Sequence, residues 1–284
     1  MKLIVATTIE EVRAQVGAWK REGLTVGLVP TMGYLHEGHA SLVDAAVARC
    51  DRVVVSDFVN PTQFGPGEDL DAYPRDFDRD CALLEEHGAA LVFHPSVEEM
   101  YDPDAATYVE ILSDMPKALC GKTRPTHFRG VCTVVSKLFH IVTPDVAFFG
   151  QKDAQQLAII RKMVRDLSFG IEIVGCPIVR EKDGLAKSSR NAYLSPEERK
   201  AALCLSRAVF LGQSMAEKGE TDAERIVAAM TEEIRREPLA RIDYVSAVDG
   251  VTMEPVKTMT GPVLAAMAVY IGKTRLIDNF IWEG

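Results

Sequence analysis

Short apolar runs alternate with amphipathic stretches through the first 177 residues. The runs predict strands at LIV (3–5), LTVGLVP (24–30), DRVVVSDFV (51–59), AALVFHP (89–95), DVAFFG (145–150) and IEIVGCPIV (171–179). Between these runs, the apolar residues have the spacing of amphipathic helices. The segments predicted to be helical are TTIEEVRAQVGAWKREG, GHASLVDAAVARC, DFDRDCALLEEHG, FRGVCTVVSKLFHIV and DAQQLAIIRKMVRDL. Thr8 and Glu11 predict a capping box on the first helix. Because strands covered on both faces are continuously apolar, the pattern predicts an α/β fold with a doubly wound parallel sheet.

The pattern changes after residue 177. A polar stretch, EKDGLAKSSRNAYLSPEERK, is followed by helical spacing over about 196–218 and 221–236 and then by three strand-like runs, RIDYVSAV, VLAAMAVYI and TRLIDNFIW. We therefore expect two domains, a larger one over 1–177 and a second, smaller α+β domain over 178–284.

Composition and charge exclude several classes of protein. The formal net charge of −9 over 284 residues argues against a broad surface for binding nucleic acid. The longest apolar runs fall short of the roughly 20 residues that span a bilayer. The N-terminus lacks the apolar core of a signal peptide, so we expect a cytoplasmic protein. Six dispersed cysteines without a C-x-x-C pair indicate neither a zinc ribbon nor a disulfide framework.

The stretch VPTMGYLHEGHASLV (29–43) places two histidines at a strand-to-helix turn. Gly33 and Gly38 permit close backbone approach, and the start of the helix offers N–H groups to an anion such as phosphate. The spacing of His36 and His39 puts both rings on one helical face. The alternatives are a cap beside a solvated residue, or a zinc pair, although no third metal ligand stands nearby in the sequence.

Seven segments together resemble one enzyme family. HEGH after a strand resembles the H-x-G-H signature of the Rossmann-like nucleotidylyltransferase superfamily, which includes the class I aminoacyl-tRNA synthetases. The segments PTMGYLHEGHASLV, FVNPTQF, HFRGV, VVSKLF, FGQKDAQQL, KDGLAKSSRN and RLIDN occur in the order found in pantothenate synthetases, also called pantoate–β-alanine ligases. The resemblance covers essentially the whole chain.

The resemblance implies an AMP-forming acid–amine ligase of pantothenate biosynthesis. Pantoate and ATP would give pantoyl adenylate and pyrophosphate, and β-alanine would then displace AMP. The resemblance also implies a homodimer and a requirement for Mg²⁺. Because Mg²⁺ is commonly held by phosphate oxygens and water, no protein ligand is assigned to it.

Carried over position by position, the family's functional residues fall into three groups. The catalytic group comprises His36, His39, Lys152 and Arg190, with His39 at the family's proton-donor position. The ATP-binding group comprises Met32, Gly33, Tyr34, Leu35, His36, Glu37, Gly38, His39, Gly150, Gln151, Lys152, Asp153, Val179, Lys187, Ser188, Ser189 and Arg190. The substrate-binding group, for pantoate and β-alanine, comprises Asn60, Gln63 and Gln156.

Each motif also has a purely structural interpretation. FVNPTQF is compatible with an ordinary Asn-Pro turn, and FGQKDAQQL with a solvated helix start capped by Asp153. The acidic run GEDLDAYPRDFDRD either caps and solvates a helix or approaches magnesium. TRPTHFRG contains Arg124, His127 and Arg129, which the family places near the active-site cavity.

KDGLAKSSRN resembles the mobile phosphate-binding loop of the family, and the domain over 178–284 would carry this loop and form a lid. Within the loop, Lys187 departs from the family pattern, which usually has Met or Leu at this position. The lysine either adds a cation beside the pyrophosphate or points into water.

Two other classes of function share part of these features. Another H-x-G-H nucleotidylyltransferase would transfer to a phosphorylated acceptor and would not need Gln63 and Gln156. A non-enzymatic nucleotide-binding module would have no reason to keep Lys152, the two serines and Arg190 together.

Overall fold

Six of the apolar runs form one parallel sheet in the computed structural model, which describes residues 2–284. Its strands are β1 (Ile4–Ala6), β2 (Val26–Thr31), β3 (Arg52–Asp57), β4 (Leu91–Phe93), β5 (Val146–Gly150) and β6 (Glu172–Cys176). The helices that accompany them are α1 (Ile9–Arg21), α2 (Glu37–Val47), α3 (Phe77–Glu86), α4 (Val97–Met100), α5 (Cys120–Thr123), α6 (His127–Val142) and α7 (Ala154–Asp166). The predicted α/β class is confirmed.

The strand order is β1-β4-β3-β2-β5-β6, with parallel pairing throughout this sheet. The chain builds outward from β2 through β3 and β4, and then returns to the other side of β2 with β5 and β6. This reversal creates a topological switch point between β2 and β5, where doubly wound folds bind ligands at the carboxyl ends of the strands. Thr31 and Gly150 end the two strands at this edge.

Both faces of the parallel sheet are covered, since successive residues 26–29 of β2 are all buried. Val29 on β2, Val55 on β3, and Val43 and Ala46 on α2 are completely buried in one apolar cluster. The predicted capping box of α1 is also present, since Glu11 N–H donates to Thr8 Oγ1 over 3.2 Å and Thr8 N–H donates to Glu11 Oε2 over 3.0 Å. Local polar contacts therefore start the helix, and burial of its apolar stripe fixes its place on the sheet.

A second sheet is antiparallel and contains three strands, β7 (Ala240–Asp249), β8 (Val263–Ile271) and β9 (Thr274–Trp282). Its helices are α8 (Pro196–Ala201), α9 (Leu203–Glu217) and α10 (Ala223–Arg235). The single helix expected over 196–218 is therefore two helices separated at Ala202. Ile226 and Met230 of α10 and Val269 of β8 are completely buried in the core of this part of the chain.

The described residues divide into two compact units. The first comprises the chain up to Ile111, Arg124–Gln151 and Ile159–Pro177, and the second comprises Leu112–Thr123, Lys152–Ala158 and Ile178–Gly284. Two segments of the region expected to form the first domain therefore group with the C-terminal residues. Gln155 joins these two segments to each other, because its side chain accepts from Cys120 N–H and donates to the carbonyls of Met115 and Ala118. Asn279 on β9 joins them to the C-terminal residues by donating to the carbonyl of Lys152.

Within residues 2–284, none of the helices has the length and apolar character needed to cross a membrane.

Candidate active site

The turn after β2 is shaped by hydrogen bonds at the end of the strand. The hydroxyl of Thr31 donates to the carbonyl of Ser56 over 2.6 Å and accepts from Gly33 N–H over 3.2 Å. Gly33 has φ +77°, and a Cβ at this position would overlap Oδ1 of Asp57. Only glycine meets both the backbone conformation and the close approach to the carboxylate.

His36 and His39 cap the N-terminus of α2. His36 Nδ1 accepts from Gly38 N–H over 3.1 Å, and His39 Nδ1 accepts from His36 N–H over 3.3 Å. The two rings lie 4.1 Å apart between centroids. This arrangement is a capping box built from imidazoles in place of the usual hydroxyl and carboxylate.

The capping bonds determine the tautomer of both neutral rings. Because each Nδ1 accepts a backbone N–H, the ring proton of the neutral form lies on Nε2. Both histidines therefore carry an N–H donor at Nε2, beside the positive end of a helix. This site is suited to an anion. Helix capping and ligand binding, which the sequence alone presents as alternatives, are therefore compatible here, because capping uses Nδ1 and leaves the donor at Nε2.

A buried carboxylate on α3 holds the same turn. Asp80 accepts from the N–H groups of Tyr34 and Leu35 over 2.6 and 2.7 Å. Burial raises the pKa of Asp80 to about 6, two backbone hydrogen bonds oppose that rise, and the nearby Asp57 adds to it. The expected cap of α3 is Asp76, which accepts from Arg79 N–H, whereas Asp80 of the same acidic run neither caps α3 nor is solvated.

The sequence contained a signal for Asp80. On the predicted helix, Asp80 lies three residues after Phe77 and four before Leu84. This spacing puts Asp80 on the apolar face of the helix. A carboxylate on a buried helical face is rare unless it has partners. Asp80 is 1% exposed in the structure, and its partners are the backbone donors of the turn.

The second carboxylate of this region interacts with a histidine. Asp57 ends β3, and its carboxylate oxygen Oδ1 lies 3.7 Å from His94 Nδ1, while its backbone carbonyl lies 2.9 Å from the same nitrogen. Hydrogen bonding to Asp57 raises the pKa of His94, and this effect outweighs the opposing effect of burial. Among residues 2–284, no donor is within hydrogen-bond reach of Asp57 Oδ2, which is buried.

Two of the three predicted substrate-binding amides, Asn60 and Gln63, form one network. Asn60 Nδ2 donates to Gln63 Oε1 over 3.0 Å, and Asn60 Oδ1 accepts from Tyr101 Oη and Thr62 Oγ1, each over 2.9 Å. Gln63 Nε2 lies 3.1 Å from the sulfur of Met32, so the amide reaches the turn before α2. Asn60 is 1% exposed. These contacts place Gln63 and Met32 together, and they show that Asn60 orients Gln63.

Helix α6 supports Gln63 from behind. Gly130 accepts from Asn60 Nδ2 through its carbonyl, and a Cβ on Gly130 would lie 2.6 Å from the backbone N and Cα of Gln63. His127 Nδ1 donates to the carbonyl of Gln63 over 2.9 Å. His127, which the family resemblance placed near the cavity without a role, thus holds the backbone of Gln63, one of the predicted substrate-binding residues.

Arg124 connects the start of α6 to the loop after Gln63. Its Nε donates to Glu68 Oε1 over 2.9 Å. Burial raises the pKa of Glu68, but the hydrogen bond and charge of Arg124 outweigh burial and lower it overall.

In the second unit, the predicted cation Lys152 lies in a 3-10 turn (Gln151–Asp153) before α7. Asn279 on β9 donates to the carbonyl of Lys152 over 2.9 Å. The Lys152 and Asp153 side chains approach each other to 4.0 Å. Gln156 on the first turn of α7 is half-buried, whereas its neighbour Gln155 is fully used in backbone contacts.

The predicted phosphate-binding loop is attached to the same strand. Arg180 forms two hydrogen bonds with Asp278, over 2.7 and 2.9 Å, and also donates to the carbonyl of Gly184. Asp278 precedes Asn279, so adjacent residues of β9 hold the loop and the backbone of Lys152. Since the side chain of Asp278 is 1% exposed, this pair fixes the loop more firmly than a surface ion pair would.

The far end of the loop contains the remaining predicted residues. Ser188 Oγ accepts from Arg190 N–H over 3.3 Å at the start of a 3-10 helix (Ser189–Tyr193). Lys187 N–H donates to the carbonyl of Val179 over 2.9 Å. This bond and the isolated antiparallel bridge between Arg180 and Ala186 bring Val179 and Lys187 together, within the second unit.

No three His, Cys, Asp or Glu side chains converge as a metal site anywhere in the described chain, residues 2–284.

Comparison with known proteins gives consistent matches over the whole chain. Residues 4–281 match the family model described as pantoate-beta-alanine ligase. The chain is 57% identical over 276 residues to the pantothenate synthetase of Clostridium acetobutylicum, covering 97% of this chain and 98% of the relative. It is 54% identical over 281 residues to the pantothenate synthetase of Enterococcus faecalis, covering 99% of both chains.

Solved structures agree. The pantothenate synthetase of Thermus thermophilus superposes with a TM-score of 0.93 at 47% identity, covering 98% of each chain. The pantoate-beta-alanine ligase of Francisella tularensis, complexed with beta-gamma ATP and beta-alanine, superposes with a TM-score of 0.80 at 31% identity, covering 98% of this chain and 97% of that one.

The packing behind Gln63 generates a prediction for Gly130→Ala. The new methyl group would press on backbone atoms of Gln63, which cannot rotate away, so we expect a loss of about 1–3 kcal/mol in the free energy of unfolding. Urea denaturation measures this loss. Gly17→Ala is the matched control: on α1 the nearest atom to its Cβ would be Arg21 Nη1 at 3.4 Å, and alanine should stabilise the helix by up to about 1 kcal/mol. Equal stability of Gly130→Ala and the unsubstituted protein would contradict the analysis.

Proposed function

This chain belongs to the pantoate–β-alanine ligase family, and from that membership we propose that it joins pantoate to β-alanine through a pantoyl-adenylate intermediate, with consumption of ATP. In the first step a carboxylate oxygen of pantoate attacks the α-phosphorus of ATP, and the bond to pyrophosphate breaks. In the second step the amine of β-alanine attacks the acyl carbon, AMP leaves with the electron pair of the broken C–O bond, and the nitrogen releases its proton to water. The products are pantothenate, AMP and pyrophosphate.

The single observation that carries this proposal is the imidazole capping box at the start of α2. A pantoate carboxylate and a triphosphate repel each other, so the first step needs fixed donors around the phosphates. The capping bonds leave His36 and His39 with Nε2–H donors whose tautomer is already set. We assign both rings to the phosphates, with His39 as the proton donor expected from the family.

Four further side chains are proposed to contact the polyphosphate. Lys152 and Arg190 supply positive charge to the polyphosphate, and Ser188 and Ser189 supply hydroxyl donors. Asp153 accepts from the ribose hydroxyls, and Val179 meets adenine through its backbone. The other residues assigned to the ATP site by the family resemblance are Met32, Gly33, Tyr34, Leu35, Glu37, Gly38, Gly150 and Gln151.

Pantoate is assigned to Gln63 and Gln156. A neutral amide donates to a carboxylate and accepts from a hydroxyl without adding a charge. Gln63 Oε1 is engaged by Asn60, so its Nε2 is the atom we assign to the pantoate carboxylate or hydroxyl. Asn60 then contributes to the pocket by fixing the orientation of Gln63.

Mg²⁺ is proposed to enter with ATP. Phosphate oxygens and water satisfy its octahedral coordination, which requires no cage of protein carboxylates. The metal would neutralise part of the charge of the leaving pyrophosphate.

The homodimer implied by the family resemblance, the cytoplasmic location expected from the N-terminal sequence and the lid role of residues 178–284 stay predictions. Light scattering on the purified protein tests the first of these.

The decisive experiment supplies purified protein with magnesium and ATP and follows pyrophosphate after addition of D-pantoate. We expect pyrophosphate release with pantoate alone, and AMP and pantothenate only after β-alanine is added. A folded, ATP-binding protein that releases no pyrophosphate with pantoate would contradict the proposal. Release with a phosphorylated acceptor in place of pantoate would instead identify another nucleotidylyltransferase.

His39→Ala and Lys152→Ala should each lower the rate of pyrophosphate release by about 100-fold or more, because each removes a donor or charge from the phosphates. Circular dichroism checks that both variants fold. Lys162→Ala is the matched control, since Lys162 lies on α7 in an ion pair with Asp166 at the surface. Near-native release by either active-site variant would remove that residue from the proposed site.

Lys187→Met restores the usual family residue and tests the extra cation. If Lys187 supports the pyrophosphate, the KM for ATP should rise several-fold, and the rise should shrink in high salt because screening already weakens the charge. Lys182→Met is the matched control, on an exposed position of the same loop. Unchanged ATP affinity and turnover in Lys187→Met would show that the side chain points into water.

A further inference from the structure

The turn before His36 has an unusual backbone. Gly33 has φ +77° and Tyr34 has φ +50°, so two successive residues adopt left-handed conformations. Such a conformation is unfavourable for tyrosine and persists only where the surroundings impose it. The N–H groups of Tyr34 and Leu35 both point at one carboxylate, that of Asp80.

Residues of α3 hold this turn at several points. Besides the two bonds to Asp80, Arg79 Nη2 donates to the carbonyl of Leu35 over 3.1 Å, and its guanidinium lies 4.9 Å from the centre of the Tyr34 ring. Leu35 is completely buried and directly precedes His36, the first capping imidazole. A shift of the Tyr34–Leu35 backbone would therefore move the ring that begins the helix.

Asp80 lowers folding stability when it is ionised. Its side chain is buried, and Asp57 is a second carboxylate in its surroundings. The pKa of Asp80 in the folded protein, about 6, is above its ordinary value of 3.8, so its contribution to stability is present at low pH and is lost as the pH rises through 6. At neutral pH the turn is therefore held by an ionised acceptor, at a cost in folding stability.

We propose that Asp80 is a positioning residue for adenylation: its carboxylate, by accepting from Tyr34 and Leu35, sets the geometry in which His36 and His39 meet the phosphates of ATP. This inference rests on the proposed function. When Asp80 is protonated, one oxygen becomes a donor facing N–H donors, the turn loses an acceptor, and the affinity of the site for ATP falls.

Other charged and titratable groups surround Asp80. Asp57 faces it from the end of β3, His94 from the end of β4, and Arg79 and Cys81 adjoin it on α3. The turn itself carries His36 and His39, and the phosphates of ATP also titrate. The pH dependence of activity of one protein therefore reflects the titration of several groups. The ratio of the activities of two proteins that differ only at Asp80 isolates the titration of Asp80.

The first test uses the unsubstituted protein labelled with nitrogen-15. The amide proton signals of Tyr34 and Leu35 should move together between pH 7.5 and pH 5, with a midpoint near 6, as their shared acceptor is protonated. This measurement requires neither turnover nor a variant, so it remains valid if Asp80→Asn does not fold or if pantoate is not the substrate. Signals that stay fixed over this interval would overturn the proposal.

The second test compares Asp80→Asn with the unsubstituted protein. At pH 8, kcat/KM for ATP in pantoate-dependent pyrophosphate release should fall about 10-fold or more, while the KM for β-alanine stays within about two-fold. The ratio of unsubstituted to variant activity should approach one near pH 5, where Asp80 is already neutral. Two results would show that Asp80 has only a structural role: an activity ratio that does not change with pH, or equal decreases in kcat/KM for ATP and for β-alanine.

The melting temperature gives an independent measurement, which should change with pH in the direction opposite to that of activity. The melting temperature of the unsubstituted protein, relative to Asp80→Asn, should rise as the pH falls from 8 to 5, while its relative activity declines. Asp78→Asn, an equal change of charge on an exposed position of α3, should alter neither ratio. If the unsubstituted protein releases no pyrophosphate with pantoate, the proposed function fails. The amide signals and the binding of a non-hydrolysable ATP analogue then decide the role of Asp80 by themselves.

Discussion

The need to satisfy the backbone N–H groups at the start of α2 shapes the candidate site. A helix begins with unpaired donors, and here two imidazoles accept two of the N–H groups at this end through Nδ1. The same bonds fix the tautomers of His36 and His39, so structural capping and preparation for an anion are one interaction. A serine or aspartate cap would satisfy the backbone equally well, but it would present no N–H donor.

The surrounding structure orients groups that lie next to this helix start. Asp80 accepts hydrogen bonds from the two N–H groups that precede the cap, and Asn60 fixes the side chain of Gln63 by donating to it. Such arrangements restrict the number of conformations before any ligand binds, which lowers the entropic cost of binding. They also explain why several buried polar residues of the first unit contact one another, and not solvent.

In the second unit, a β-strand orients the predicted ATP-binding residues. Asp278 and Asn279 are adjacent on β9, and they hold Arg180 of the phosphate-binding loop and the backbone of Lys152. Since β9 is paired along its length with β8, both anchors rest on a rigid element. The loop residues that we assign to phosphate are therefore displayed from a defined base, although they belong to no long helix or strand themselves.

The sequence by itself determined the alternation of strands and helices, the capping box of α1 and the position of the two histidines, because these depend on neighbours within one or two helical turns. The resemblance to the family extended this to a list of candidate residues. Only the tertiary structure decided that Asp80 serves the turn, that Asn279 holds Lys152 and that Asn60 meets Gly130, contacts between residues 45, 127 and 70 positions apart. Local periodicity shows which face of an element is buried, but the partner it meets there depends on how distant elements pack.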